Sequence, residues 1–93
     1  MEKEVNIPKP PEYWKWRRAK RTTWEAAIKH PHDSFLASDL NTDSSLKTGH
    51  AMRDLCEDGY FSRNKMGSAY STTYIYSAEH PFMAYKERYL RER

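Results

Sequence analysis

The chain has 93 residues, 38% of them hydrophobic and 31% charged, and a formal net charge of +3. That length supports one small core, and a mean hydropathy of -1.05 leaves polar ends around it. No apolar run is long enough to span a bilayer, and the first twenty residues hold no secretory apolar stretch, so the expectation is a cytoplasmic protein away from the membrane.

The single cysteine, Cys56, cannot form an internal disulfide, which fits a reducing compartment. It lies on an apolar helical stripe and reads as a small buried side chain. Charge is unevenly spread. Residues 1–30 carry eight Lys or Arg against four acids, residues 31–60 two against six, and residues 61–93 six against three. Both ends are basic and the middle is acidic.

Pro8, Pro10 and Pro11 predict an extended lead within a basic N-terminal arm over residues 1–21. Tyr13, Trp14 and Trp16 read as aromatics that pack beside the core. Thr22 and Glu25 form a capping-box pattern, which predicts a helix from about Thr23 to His30 with Trp24, Ala27 and Ile28 on one face. His30-Pro31 ends it, because the residue before proline resists the helical region. His30, His32 and Asp33 lie close in sequence, but there is no Cys pair and no zinc-finger spacing, so capping or solvated roles are expected.

Asp33 or Ser34 can cap a second short helix with Leu36, Ala37 and Leu40 at helical spacing. The segment Thr42-Asp43-Ser44-Ser45 then ends one helix and starts the next. Leu46 to Asp58 is predicted as the third helix, with Thr48, Ala51, Met52 and Leu55 on its core stripe and Gly59 closing it in the left-handed conformation. Tyr60 to Arg63 and Tyr70 to Tyr76 are rich in β-branched and aromatic residues and predict a hairpin around the loop 64–69. Pro81 can open a last helix over the C-terminal residues 78–93, where Phe82, Tyr85, Tyr89 and Leu90 form a stripe. That stripe serves either to fold back on the first helix or to form a homodimer seam.

The stretch LASDLNTDSSLKTGHAMRDLCEDGYFSR, residues 36 to 63, resembles the bracing helix, turn and recognition helix of the winged helix-turn-helix superfamily, with the helix-glycine-strand step of its MarR-like members. The resemblance covers residues 22–77 and implies an α+β fold, a small winged helix-turn-helix domain of three helices and a two-stranded wing, followed by a C-terminal helix. Asn41-Thr42 departs from the small middle residue usual in such turns, although Asn tolerates the left-handed conformation.

The resemblance further implies double-stranded DNA as partner, a recognition helix over about 44–58 in the major groove, and a wing over 60–76 on the backbone. The candidate contacts on that helix are Ser44, Ser45, Lys47, Thr48, Gly49, His50 and Arg53. Lys47 and Arg53 can donate to guanine, Ser44 and Ser45 can bond phosphate near a helix start, and Gly49 lets the backbone approach closely. Arg63 and Lys65 belong to the wing, and Arg17, Arg18, Lys20 and Arg21 to the arm.

The acidic middle opposes DNA, since phosphate attraction dominates affinity. Its acids fall on the bracing helix, the turn and the far end of the third helix, and residues 44–53 carry none. No catalytic set, metal site or cofactor is expected. Three functions are carried forward: a sequence-specific transcriptional regulator of bacterial or phage origin, a protein-interaction adaptor using the acidic middle, and a non-specific nucleic-acid accessory protein of a phage or plasmid.

Overall fold

The structure is a computed structural model of the chain and describes residues 7–40, 45–67 and 73–92, the side chains of 45 and 46 excepted. Its first long helix, α1, spans Arg18–Lys29. It starts about five residues before the capping box of Thr22 and Glu25, because Arg17 supplies the extended entry residue and its carbonyl accepts the Arg21 amide at 3.1 Å. Basic residues in a first turn oppose the helix dipole. Lys20 offsets this through an ion pair with Asp58 at 2.5 Å. Thr23, Trp24, Ala27 and Ile28 are the buried face, and the extended His30 ends the helix before Pro31 as expected.

The expected second helix is absent, and this is the main correction to the sequence reading. Ser34–Leu36 is a strand, β1, followed by a single 3-10 turn over Ala37–Asp39. A helix of seven residues gains few hydrogen bonds against a costly nucleus. Pairing with a distant strand satisfies the backbone better, and the alternation that buries Phe35 between exposed Ser34 and half-buried Leu36 fits a strand. The turn is closed by the Asp39 carboxylate, which accepts the Leu36 amide at 2.9 Å. The segment expected to turn into the next helix, residues 41–44, lies outside the described residues.

Helix α2 spans Ser45–Glu57, within one residue of expectation. Thr48, Ala51, Met52 and Leu55 form its buried stripe. It ends in two nested bonds, Gly59 amide to Cys56 carbonyl at 3.1 Å and Tyr60 amide to Leu55 carbonyl at 3.0 Å, with Gly59 at φ +89. This is the Schellman arrangement, and only glycine enters it without strain.

Strands β2, Phe61–Lys65, and β3, Tyr74–Ala78, form the expected hairpin with β3 displaced towards the C-terminus; residues 68–72 lie outside the described residues. The sheet is antiparallel and has three strands rather than two, ordered β1-β3-β2. Phe35 faces Tyr76 across β1 and β3, and Arg63 faces Tyr76 across β2 and β3. Helix α3, His80–Glu92, returns over the core. Phe82 is buried, Tyr85 and Tyr89 pack against the core, and of the stripe only Leu90 remains exposed. The stripe is thus used within the chain rather than left as a dimer seam. The fold is α+β, with three helices and a three-stranded antiparallel sheet, and no helix among the described residues is long and apolar enough to cross a membrane.

Residues 7–16 of the N-terminal arm pack on the core as a strap. Pro8, Pro10 and Tyr13 are buried, the Trp24 indole donates to the Pro8 carbonyl at 2.9 Å, and Tyr60 donates to Glu12 at 2.5 Å. Tyr13 likewise donates to Glu25 at 3.0 Å. At the other end of the core, the ammonium of buried Lys86 donates to the His32 carbonyl and to Asp33, at 3.1 and 3.0 Å, and ties α3 to the start of β1.

Two outcomes follow from these contacts. Burial, and then the bond to Glu25 and its charge, push the Tyr13 hydroxyl up from 10.0 to about 12, and burial and Glu12 raise Tyr60 in the same way. Above pH 10 the unfolded chain therefore binds fewer protons than the folded one, so stability is full below pH 10 and falls as pH rises towards 12. Urea unfolding across that range should show the fall, and Tyr13→Phe or Tyr60→Phe should flatten it. In the Lys86 pocket, the lysine stem packs as an apolar chain and Asp33 is exposed enough to return to water. Lys86→Met should cost at most about 1 kcal/mol and Lys86→Ala about 2–3 kcal/mol; equal losses would assign the role to the charge.

Candidate functional site

One face of α2 is turned away from α1 and towards the sheet. Gly49, His50 and Arg53 occupy it, and together with the hairpin residues Arg63 and Tyr74 they line an open groove of about 620 Å³ that Leu36, Ala37 and Ser38 also line. Among the described residues, no carboxylate lines the groove. Arg63, exposed on β2, lies with its guanidinium 4.6 Å from the centre of the Tyr74 ring, a cation–π contact that orients it. Arg53 is 3.6 Å from Glu57 one turn further on, with both side chains more than half exposed. Such a pair contributes little and gives way readily to a stronger anion. Tyr76 forms part of the floor; burial raises its hydroxyl above the ordinary tyrosine value and Arg63 pulls it back.

Three acids of the middle segment are engaged away from the groove: Asp33 is paired with Lys86, Asp39 caps its own turn and Asp58 holds Lys20. Glu57 stays beside Arg53, and Asp43 lies outside the described residues. Cys56 is half-buried against the core rather than fully buried as expected, and desolvation raises its thiol, which keeps it protonated at neutral pH.

Of the candidate contacts read from sequence, Gly49, His50, Arg53 and Arg63 come together in the groove. Lys47 is exposed on α2, and Lys65 is exposed at the end of β2 opposite Tyr74. Ser44 lies outside the described residues, as does the side chain of Ser45. Thr48 does not belong to the set: at 2% exposure it faces the core, as the stripe that contains it requires.

The four arm residues divide. Arg17 and Arg18 are exposed at the start of α1. Lys20 is taken up by Asp58 and by the Trp16 ring, 4.4 Å away. Arg21 is half-buried, with its Nε enclosed. The Lys20 bond also places this cluster beside the end of α2, roughly 16 Å along the axis from Lys47 at 1.5 Å per residue. The arm and the start of α2 are not one surface.

Sequence reasoning missed Tyr74 and Tyr76 as partners of the groove. The signal was present as alternation in the two strands, but the pairing Arg63 with Tyr76 and Lys65 with Tyr74 depends on the hairpin register. It also placed Trp14 in the packing, whereas Trp14 is 70% exposed and lies under the Lys9 ammonium at 5.8 Å. Comparison with protein-family models, with curated proteins and with solved structures finds no match for the chain.

Gly49 stands out physically. It has no positive φ, and a Cβ added there meets nothing within 4 Å. Neither backbone conformation nor packing asks for glycine in the middle of α2. Gly49→Ala should therefore raise the unfolding free energy by about 0.5–1 kcal/mol, measured by urea titration; a decrease would show that the fold itself needs the glycine.

Proposed function

We propose that the protein is a sequence-specific, double-stranded DNA-binding regulator of winged helix-turn-helix type, without catalysis of its own, in which α2 enters the major groove and the β2–β3 hairpin lies on the backbone. The element order supports this: helix, strand, short turn, helix and hairpin, with β3 between β1 and β2. In this arrangement the bracing helix of the motif is reduced to the Ala37–Asp39 turn, and Leu40, 5% exposed, anchors it to the core.

The observation that carries the reading is the groove that joins Gly49, His50 and Arg53 of α2 to Arg63 of the hairpin, lined by no carboxylate among the described residues. Phosphate attraction dominates affinity for DNA, and here the cations of helix and hairpin converge while Asp33, Asp39 and Asp58 are engaged by other parts of the fold. Lys47 and His50, exposed on the same helix, are the proposed readers of base edges. Arg17 and Arg18 add long-range attraction rather than contacts to the same stretch of duplex. Because the α3 stripe is used inside the chain, the expected site is a single half-site read by a monomer.

Trp14 favours a second reading, a protein-interaction adaptor, since exposed tryptophan is a frequent anchor of interfaces. The two readings separate in one experiment. The protein is equilibrated with a random-sequence duplex pool at increasing salt, and the bound fraction is sequenced. An enriched half-site that loses its preference in Lys47→Ala and His50→Ala supports the regulator. Binding that enriches nothing and fades with salt assigns a non-specific accessory role instead, and absence of binding at low salt leaves the adaptor.

A further inference from the structure

We infer that the groove between α2 and the hairpin is the seat of one sugar–phosphate strand, and that Gly49 is kept without a side chain for this ligand rather than for the fold. The inference rests on the nucleic-acid reading above and assigns Arg53 a different part in it. In sequence Arg53 reads as a donor to guanine; in the structure it lines the groove opposite Arg63, where two guanidiniums can grip one chain of phosphates from both sides.

Several features fit a strand better than a compact ligand. The groove is open to solvent and is not an enclosed pocket. Its described lining offers positive charge without carboxylates, and Tyr74, in cation–π contact with Arg63, offers a flat apolar surface of the kind a sugar or base packs on. The helix wall at Gly49 is bare backbone, with space for a Cβ that the sequence leaves unfilled. A mid-helix glycine with no internal cause is a sacrifice of stability, and its position on the groove names what it makes room for. Contacts of this kind hold backbone and carry no base information, so base reading falls to Lys47 and to His50, both exposed on α2.

A duplex and a single strand present the same sugar–phosphate chemistry, and the test includes both. Fluorescence anisotropy is recorded for the whole chain and for the variants Gly49→Ala, Arg53→Gln and Arg63→Gln with a labelled random-sequence duplex and with labelled oligothymidine, over a series of salt concentrations. Thermal unfolding of each variant is measured alongside.

Gly49→Ala is expected to raise Tm by several degrees while weakening duplex binding about tenfold at an unchanged salt slope, since it removes no charge. Arg53→Gln and Arg63→Gln should each reduce the salt slope by about 0.9, the value for one duplex phosphate contact. If oligothymidine shows the same dependence on Gly49, the seat accepts a lone strand; if only the duplex does, the strand is held in duplex geometry. Wild-type binding to DNA with affinity unchanged in Gly49→Ala, or with slopes unchanged in both arginine variants, would overturn the groove assignment and leave the DNA reading standing. No binding of wild type to either probe at low salt would overturn both.

Discussion

The indole of Trp24 is the contact on which the remaining packing depends. It projects from the middle of α1, is fully buried, and meets Trp16, Tyr60, Phe82 and Tyr85 edge-on at 5.0 to 5.7 Å between ring centres. Its one polar atom is satisfied by the Pro8 carbonyl. One side chain thus joins the strap, the helix, the start of β2 and the returning α3. In a chain this short the core is small, so concentrating it on one large aromatic is an economical way to fix several elements at once. Helix α2 docks on the same core through Met52 and Leu55, so the angle between α2 and the sheet, and with it the groove, is set from the Trp24 side of the molecule.

The charge pattern acquires meaning once that core is in place. Folding engages three acids of the middle segment away from the groove: Asp58 turns towards α1, Asp33 towards α3, and Asp39 into its own turn. The charged side chains among the described residues that line the space between α2 and the hairpin are Arg53 and Arg63, beside Tyr74 and Tyr76. The same region contains the one position in α2 where local preference is disobeyed without a structural cause, Gly49. Departures from the best local choice tend to collect where function requires them, and their coincidence with the groove is why the groove, rather than the basic strap, is the centre of the account.

Much of the architecture was legible because its signals are local. The Schellman closure at Gly59, the stripe of Thr48, Ala51, Met52 and Leu55, and the existence of the α3 stripe are written within a few residues of where they act, whereas the destination of that stripe, Trp24 of α1, is not. The α2 stripe already placed Thr48 inside, and counting Thr48 as a contact went against it. The strand β1 was illegible for the opposite reason. Leu36, Ala37 and Leu40 show helical spacing over too few residues to exclude another structure, while the partner that makes Ser34–Leu36 a strand lies some forty residues away at Ser77 and Tyr76. The strap shares this dependence. Its aromatics read as packing beside the core, but the bonds that fasten it, from the Trp24 indole to Pro8, from Tyr60 to Glu12 and from Tyr13 to Glu25, join residues distant in sequence. Within the site, the residues of α2 and Arg63 of the hairpin were legible and the tyrosines beside Arg63 were not, since the hairpin register pairs Arg63 with Tyr76 and leaves the Tyr74 ring within cation–π distance.

The most direct test of the central claim is an amide NMR map of the protein titrated with a short duplex. The account predicts that the largest shift changes fall on residues 45–53 of α2 and on the groove-facing residues of β2 and β3, with the strap over residues 7–16 little affected. Changes concentrated on the strap and the exposed Trp14, with α2 and the hairpin silent, would contradict it.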